Sequence, residues 1–240
     1  MLSIVIPALD EAANLARLLP DLARRFPGAE VIVVDGGSSD ETPGVVRNHG
    51  ARFLASERGR ARQMNAGARA ARGEAVLFLH ADTILPEGAP AAIAGALQDP
   101  AVAGGRFDVR FSNARWPFRM IAAFMNWRSR VTRIATGDQG IFVRRAAFEA
   151  LGGYPDLPLM EDVELSRRLK RLGRIACLRL SVTTSARKWE RDGILRTIVL
   201  MWTLRFLYFC GMDAARLHAW YYGSRSAPPG ARGRRGTPAR

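Results

Sequence analysis

The feature that most constrains the fold is the alternation of short apolar runs with helical periodicity over residues 1–82. Four runs have the length of buried strands, and the segments between them repeat apolar residues at the spacing of an amphipathic helix. The predicted strands are Leu2–Ile6, Val31–Val34, Arg52–Leu54 and Ala75–Leu79. The predicted helices are Glu11–Arg25, Glu41–His49 and Gly59–Arg72. Such alternation predicts an α/β fold with a mostly parallel central sheet flanked by helices.

The pattern is less regular beyond residue 98. Alternation over Val102–Phe111 predicts an edge strand, whereas Trp116–Arg133 combines an aromatic and apolar face with arginines. Ile141–Val143 predicts another strand, and Met160–Leu172 predicts a helix whose acidic first turn suits the helix dipole. Ile194–Cys210 is apolar and aromatic and is broken by two arginines, which predicts a C-terminal amphipathic helix.

Carboxylates follow the predicted strands where open parallel sheets bind their ligands, beyond the carboxyl ends of the strands. Asp35 follows the second strand and Asp82 lies just after the fourth, so both are expected to face one crevice. Ser39 and Asp40 also follow the second strand, but both residue types are good helix caps and a capping role is expected there.

Several familiar motifs are absent from the sequence. The first strand is not followed by GxGxxG, and neither a P-loop nor a GxSxG elbow occurs, which disfavours a Rossmann site, a P-loop ATPase and an α/β-hydrolase. The three histidines are scattered, so a zinc cluster is not indicated. The acidic strand ends remain the main chemical signal.

A nucleoside diphosphate sugar bound without a P-loop makes three demands that carboxylates can meet. A divalent cation must neutralise the diphosphate, and Asp82 at a strand end is the candidate ligand. The nucleobase needs a hydrogen-bond acceptor, which suits Asp35, and the attacking hydroxyl needs a general base, which suits Asp162.

Four motifs in this order resemble those of family 2 glycosyltransferases over most of residues 1–190. They are IVIPALDE (4–11), VVDGGSSD (33–40), FLHAD (78–82) and GDQG (137–140) with MED (160–162). The resemblance implies a GT-A fold, a UDP- or GDP-sugar donor, a divalent metal (Mg²⁺ or Mn²⁺) and inversion at the anomeric carbon. The pairing of FLHAD with GDQG also resembles the short subfamily of arsenosugar biosynthesis glycosyltransferases.

The resemblance assigns roles to individual residues. Pro7, Glu11 and Asp35 match positions that hold the nucleoside, Asp82 matches the metal-binding aspartate that closes the DxD motif, and Asp162 matches the catalytic base. The further residues that it places near the acceptor or the diphosphate are Arg62, Asp138, Gln139, Glu161, Arg187 and Trp189. Exposed helix charge for Arg62, a solvated loop for Arg187 and core packing for Trp189 are the open alternatives.

Two positions depart from the family pattern. His80 replaces the first aspartate of DxD, so we expect it to position the ribose or diphosphate by hydrogen bonding rather than to ligate the metal. Lys188 stands where the later QxxRW motif has arginine, which disfavours a processive polysaccharide synthase.

The resemblance also divides the chain. Residues 1–190 are the expected catalytic domain, with a nucleotide-sugar half (1–98) and an acceptor half (99–190). Residues 191–222 are the expected helical segment. The Gly-, Pro- and Arg-rich residues 223–240 are expected to form a disordered basic tail.

The charge balance keeps a different function open. Lys and Arg number 36 against 22 Asp and Glu, a net charge of +14, although nearly all the cations are arginine, as compositional bias alone would produce. The alternative is a basic membrane-surface or nucleic-acid binding module with a degenerate glycosyltransferase site. Nucleic acid is not the expected partner, since no recognition helix is evident.

The expected acceptor is a small molecule or a lipid-linked one, and homodimerisation is open. Cys177 and Cys210 lie in apolar surroundings without CxxC spacing, which predicts buried thiols and a reducing compartment. No signal peptide is indicated, so we expect a cytoplasmic location, with the inner face of the membrane as an alternative.

Overall fold

The computed structural model describes residues 1–223, in which eight strands share one sheet. The strands are β1 (Leu2–Ala8), β2 (Glu30–Asp35), β3 (Arg52–Ala55), β4 (Ala75–Phe78), β5 (Thr83–Ile84), β6 (Val102–Phe111), β7 (Ile141–Arg144) and β8 (Arg174–Thr184). The first seven helices are α1 (Ala12–Arg25), α2 (Thr42–Asn48), α3 (Arg60–Ala70), α4 (Ala89–Leu97), α5 (Trp116–Thr132), α6 (Arg145–Ala150) and α7 (Glu161–Leu172). The C-terminal helices are α8 (Arg187–Asp192), α9 (Ile194–Phe209) and α10 (Ala214–Gly223).

The strands lie in the order β3-β2-β1-β4-β7-β6-β8-β5. The neighbours from β3 to β4 are parallel, as are β6 and β8, whereas β7 runs antiparallel to both β4 and β6. The register joins Ala8 to Asp35 at the ends of β1 and β2, so both strands stop at one edge. The α/β fold with a mostly parallel sheet, predicted from residues 1–82, is confirmed.

Both faces of the parallel half are covered by helices, which explains why its strands are apolar almost throughout. Ile4 and Ile6 of β1 pack on the α1 side with Leu15, whereas Val5 between them packs on the α3 side with Met64. The central sheet therefore separates two apolar layers, and its carboxyl edge is the part left open for a ligand.

The prediction of an edge strand at Val102–Phe111 is wrong, because β6 lies inside the sheet between β7 and β8. Its first two charged positions are covered, and only the last one faces water. Arg106 is fully buried and donates to Asp108 and to the Asn126 carbonyl, while Arg130 of α5 also donates to Asp108. The alternation thus marks a covered ion network under α5 rather than a solvated face.

The predicted C-terminal helical segment forms α9 and α10. Leu204 of α9 packs with Leu217 and Tyr221 of α10 and with Met160 and Val163 at the start of α7. Among residues 1–223, no helix combines the length and apolarity required to cross a bilayer. The predicted basic tail lies outside the described residues, apart from Gly223.

Both cysteines are free thiols, but only part of the prediction about them is right. Cys177 is half-buried on β8, whereas Cys210 is exposed just after α9. The prediction of a buried thiol is wrong for Cys210, which follows Phe209, the last and itself exposed residue of α9.

Candidate functional site

A cleft of about 940 Å³ opens at the carboxyl edge of the sheet. Strand ends, the start of α3 and helix α10 supply its walls. The lining residues used below are Pro7, Glu11, Arg60, Arg62, Gln63, His80, Asp82, Glu161, His218 and Tyr222. The structure therefore brings together residues that the sequence placed in three separate motifs.

The loops that follow β1 and β2 are tied to each other by side chains. Asp10 accepts hydrogen bonds from the Ser39 amide (2.8 Å) and donates its own amide to Ser38 Oγ (2.9 Å). The Glu11 amide donates to Thr42 Oγ1, and Asp40 accepts from the Ala12 amide. These bonds fix Glu11 at the mouth of the cleft.

Asp35, assigned to the nucleobase, is buried at the end of β2 and lies outside the cleft lining. One oxygen of its carboxylate accepts from the Gly37 and Ser38 amides at 3.1 and 3.0 Å, and the other accepts from Ser38 Oγ. In this arrangement the carboxylate organises its own turn.

His80, Asp82 and Asp138 meet at the centre of the site. His80 Nδ1 lies 3.6 Å from Asp138 Oδ1, and its buried Nε2 has no hydrogen-bond partner among the described residues. Burial, with help from nearby Arg60, lowers the pKa of His80 to about 4, although Asp138 opposes this. The imidazole is therefore neutral at pH 7 and has an unused ring nitrogen at the site.

Burial raises the pKa of Asp82, and the neighbouring carboxylates of Asp138 and Glu11 raise it further. Such mutual repulsion is the arrangement that a bound cation would relieve. Arg187, on the other side, opposes the shift.

Asp162 lies in the first turn of α7, and Met160 before it adopts a left-handed conformation (φ 68°). One carboxylate oxygen accepts from the Gly137 amide at 2.8 Å and the other from the Val163 amide at 2.7 Å. Burial first, and then the Glu161 carboxylate, raise the pKa of Asp162 to about 7 despite these donors. A carboxylate held in place with this pKa suits a general base.

The first turn of α3 contributes two arginines with different partners. Arg60 Nη1 lies 3.4 Å from buried Glu161 Oε1, beside the candidate base. Arg62 donates to Asp156 through Nε and Nη2 and to Glu57 through Nη1 at 2.6 Å. The sequence pattern favoured Arg62 as the arginine near the diphosphate, but Arg62 lines the cleft with its charge already paired to Asp156 and Glu57. Arg60 is the arginine that contacts Glu161.

Gln63, on the next turn of α3, is a residue that sequence reasoning missed. Its Nε2 donates to the Ala8 and Val34 carbonyls at 2.7 and 2.8 Å, which ties α3 to the ends of β1 and β2. This role was predictable, because a polar side chain on the sheet-facing side of a helix, near the ends of two strands, can donate to backbone carbonyls that would otherwise lack a partner.

The remaining predicted residues differ in their distance from the cleft. Arg187 donates to Asn14 Oδ1 at 2.9 Å, which brings it to the Glu11 side of the site. Gln139 is fully buried, and its Oε1 accepts from the Thr136 amide. Trp189 packs edge-on against Phe111 at 5.6 Å in an apolar cluster. Core packing therefore accounts for Trp189.

The site offers few protein ligands for a divalent metal. Among residues 1–223, no group of three or more His, Cys, Asp or Glu side chains is placed to hold an ion. Asp82 and Asp138 supply carboxylate oxygens, the ligands that Mg²⁺ and Mn²⁺ favour. They fit an ion whose remaining ligands come from a diphosphate and water.

The sheet order and the cleft at its carboxyl edge define a GT-A nucleotide-sugar transferase fold, and solved structures share it. The mannosyltransferase PcManGT from Pyrobaculum calidifontis, in complex with GDP-Man and Mn²⁺, has a TM-score of 0.64 at 22% identity over 95% of this chain and 65% of that one. Glucosyl-3-phosphoglycerate synthase from Mycobacterium tuberculosis, with Mn²⁺ and UDP, has a TM-score of 0.62 at 22% identity over 89% and 81%. S. aureus TarS 1-349 with UDP-GlcNAc has a TM-score of 0.61 at 20% identity over 77% and 58%.

The chain belongs to glycosyltransferase family 2, because the model described as "Glycosyl transferase family 2" matches residues 3–152. PGL/p-HBAD biosynthesis glycosyltransferases of Mycobacterium bovis and Mycobacterium tuberculosis are 32% identical over 166 residues, 64% of this chain. The chain spans 63% of the length of these relatives. These relatives are mycobacterial glycosyltransferases rather than arsenosugar enzymes.

Proposed function

We propose that the protein transfers a sugar, with inversion, from a nucleoside diphosphate sugar to an acceptor hydroxyl. The observation that carries the proposal is the Asp162 carboxylate, which the Gly137 amide holds beside the cleft and whose pKa is raised to about 7. A base with this pKa is about half ionised at pH 7, becomes fully ionised just above it and accepts a proton readily.

In the proposed step, an oxygen lone pair of the acceptor hydroxyl attacks the anomeric carbon. The hydroxyl proton passes to Asp162, and the bond between the anomeric carbon and the diphosphate oxygen breaks. The electron pair of that bond leaves with the nucleoside diphosphate. Attack from the side opposite the leaving group inverts the configuration at the anomeric carbon, and Arg60 keeps neighbouring Glu161 compensated.

The donor lies, in this proposal, along the carboxyl edge of the sheet. Pro7, Glu11 and the turn organised by Asp35 hold the nucleoside, while the His80 imidazole, which lines the cleft, hydrogen-bonds the ribose or diphosphate. Asp82 and Asp138 would hold Mg²⁺ or Mn²⁺, which supplies charge neutralisation for the diphosphate. Arg187 adds positive charge on the Glu11 side of the site, whereas the charge of Arg62 is already paired with carboxylates.

The structural neighbours support a donor that carries a diphosphate. Their solved complexes hold UDP-GlcNAc, GDP-Man with Mn²⁺, or UDP with Mn²⁺. A UDP- or GDP-sugar is therefore the proposed donor. Two classes of acceptor are to be tested. One is an acceptor from PGL/p-HBAD biosynthesis, the process in the names of the mycobacterial relatives, and the other is an acceptor from arsenosugar biosynthesis, as in the resembling subfamily.

The test is a thermal-shift screen of the full chain against UDP-, GDP-, dTDP- and CDP-sugars with Mn²⁺, Mg²⁺ or EDTA. One donor should raise the melting temperature only with metal, since a ligand that binds the native state stabilises it by mass action. Asp82→Ala should abolish that metal-dependent shift. Asp162→Asn should keep it and lower nucleoside diphosphate release by about a hundredfold or more.

Glu149→Gln is the matched control for Asp162→Asn, because Glu149 is an exposed carboxylate on α6, paired only with Arg145 in the described residues. It should leave both the shift and the release rate unchanged. Full activity in Asp162→Asn would refute the base assignment.

A second candidate function is favoured by one observation, the replacement of a carboxylate by neutral His80 in the DxD position. A weakened metal site suits a binding module with a degenerate glycosyltransferase site. The same screen separates the two, since a degenerate site gives no metal-dependent shift with any donor.

A further inference from the structure

Helices α5 and α9 each carry a second apolar stripe, on the side opposite the one that packs into the protein. On α9 the buried apolar residue is Leu204, and 100° per residue places Trp202 and Phe206 on the opposite side. A surface helix normally presents polar side chains there. The residues of the outer stripes, each at least 39% exposed, are Trp116, Met120, Phe124, Trp127, Val131, Leu195, Val199, Trp202, Phe206 and Phe209.

The two stripes form one continuous surface, called the aromatic face below. Phe124 of α5 stacks on Trp202 of α9 with ring centroids 5.3 Å apart, and Phe124 also contacts Trp127 at 5.6 Å. An exposed apolar area of this extent on a protein surface marks a docking site.

Positive charge borders this surface, and negative charge is absent from both helices. Arg119 lies at the side of the α5 stripe, and Arg196 and Arg205 lie at the two sides of the α9 stripe. Neither α5 nor α9 contains Asp or Glu. Tryptophan and phenylalanine with a rim of arginine is the composition of a surface that lies in the headgroup region of an anionic bilayer.

We propose that the aromatic face docks on an anionic lipid surface. A second copy of the chain is the other occupant that such spacing would suit, because residues 195, 199, 202, 206 and 209 follow a coiled-coil repeat. The flanking positions of that repeat are Arg196 and Arg205, so self-pairing would bring arginines together without an acidic partner. Phosphate headgroups instead complement this charge.

Docking by this face does not use the cleft, because none of the stripe residues lines it. Leu204, on the inner side of α9, packs against Met160 and Val163, which flank Asp162 in sequence. Helix α9 therefore lies between the docked surface and the helix that carries the candidate base. Lipid binding does not require sugar transfer, so this proposal and the proposed function fail separately.

The experiment is flotation of the full chain with vesicles of phosphatidylcholine alone or with 30% phosphatidylglycerol (about one lipid in three, to give a negative surface). The wild type should float with the anionic vesicles. The double variant Trp202→Ser/Phe206→Ser should float about tenfold less, because two large apolar side chains are removed from the interface.

The control is Ile84→Ser/Leu172→Ser, which replaces two residues about half exposed elsewhere on the surface. Both double variants keep the net charge of +14, so a loss confined to the first cannot come from general attraction of a basic protein. Circular dichroism checks that each variant is folded.

Three results would overturn the proposal. The wild type could stay with the unbound fraction, both double variants could lose flotation equally, or light scattering could show a wild-type dimer that Trp202→Ser/Phe206→Ser converts to a monomer. The last result would assign the aromatic face to a second copy of the chain.

Discussion

At the scale of single residues, the ionisation of Asp162 sets the expected pH dependence. Its pKa is raised to about 7, and only the ionised carboxylate accepts the acceptor's proton. The value of kcat/KM should therefore fall about tenfold per pH unit below pH 7 and level off above it. His80, with a pKa of about 4, stays neutral over this range and adds no inflection near neutrality.

The measurement is kcat/KM for nucleoside diphosphate release between pH 5.5 and 8.5 (about three units, enough for both limbs). In Asp162→Asn, the residual kcat/KM should no longer change with pH near pH 7. A flat wild-type profile across this range would count against Asp162 as the base.

Gly137 is a second residue whose small size the site uses. A Cβ at this position would lie 2.5 Å from His80 Nε2, which is closer than non-bonded atoms approach. Gly137→Ala should displace the imidazole and lower the release rate by about a hundredfold, the usual cost of a misplaced active-site group. Gly28→Ala, where a Cβ meets nothing within 4 Å, is the control, and an unchanged rate in Gly137→Ala would contradict the role of His80.

The site residues show where sequence reasoning stops. Two of the carboxylates, Asp35 and Asp82, follow predicted strands, and Asp162 lies at the start of a predicted helix. The order of these strands and helices was enough to predict that the three carboxylates lie near one edge of the sheet. The rotation of α3 about its own axis was not predictable. Arg60 and Arg62 leave the helix in directions about 200° apart, so Arg60 contacts Glu161 and Arg62 contacts Asp156. Side-chain partners of this kind depend on helix rotation, which local periodicity fixes only coarsely.

At the scale of elements, the strands and helices of residues 1–82 were predictable because their apolar spacing is local. The place of β6 was not, since its polar alternation is typical of an exposed edge and its partners, Asn126 and Arg130, come from a helix that follows it. A network of ion pairs between two elements cannot be predicted from the polar and apolar pattern of either element alone.

The contact of α3 with the sheet gives a prediction at this scale. A Cβ on Gly67 would lie 2.3 Å from Val5 Cγ1 and 2.9 Å from Val34 Cγ2, so α3 packs there with its backbone. Gly67→Ala should lower the free energy of unfolding by about 1–3 kcal/mol, because overpacking forces the helix away.

Urea denaturation measures this change. Gly95→Ala on α4, where a Cβ meets nothing within 4 Å, is the matched control and should raise the free energy of unfolding by about 0.4–1 kcal/mol. If the two variants have the same free energy of unfolding, α3 accommodates the added methyl group without loss of stability.

At the scale of the whole molecule, the sheet joins the two predicted halves of the chain. β5 comes from the first half, yet it pairs with β8 at the far edge, and β4 pairs with β7 from the second half. We therefore expect the halves to unfold together. The functional division at residue 98 stays a prediction.

All five tryptophans lie between residues 116 and 220, so their fluorescence reports on the second half alone. Far-UV circular dichroism reports on helices throughout the chain. The two urea transitions should coincide, as expected of one cooperative unit. Separate midpoints would show that the halves are independently stable.

The origin of the cleft in distant segments has a consequence for biosynthesis. Its lining begins at Pro7 and includes His218 and Tyr222 on the last described helix. During translation, a nascent chain that already contains every parallel strand of the first half still lacks one wall of the cleft. Under the proposed function, a chain released by a stalled ribosome before Tyr222 lacks that wall, so we expect it to bind the nucleotide sugar more weakly than a chain with the complete lining.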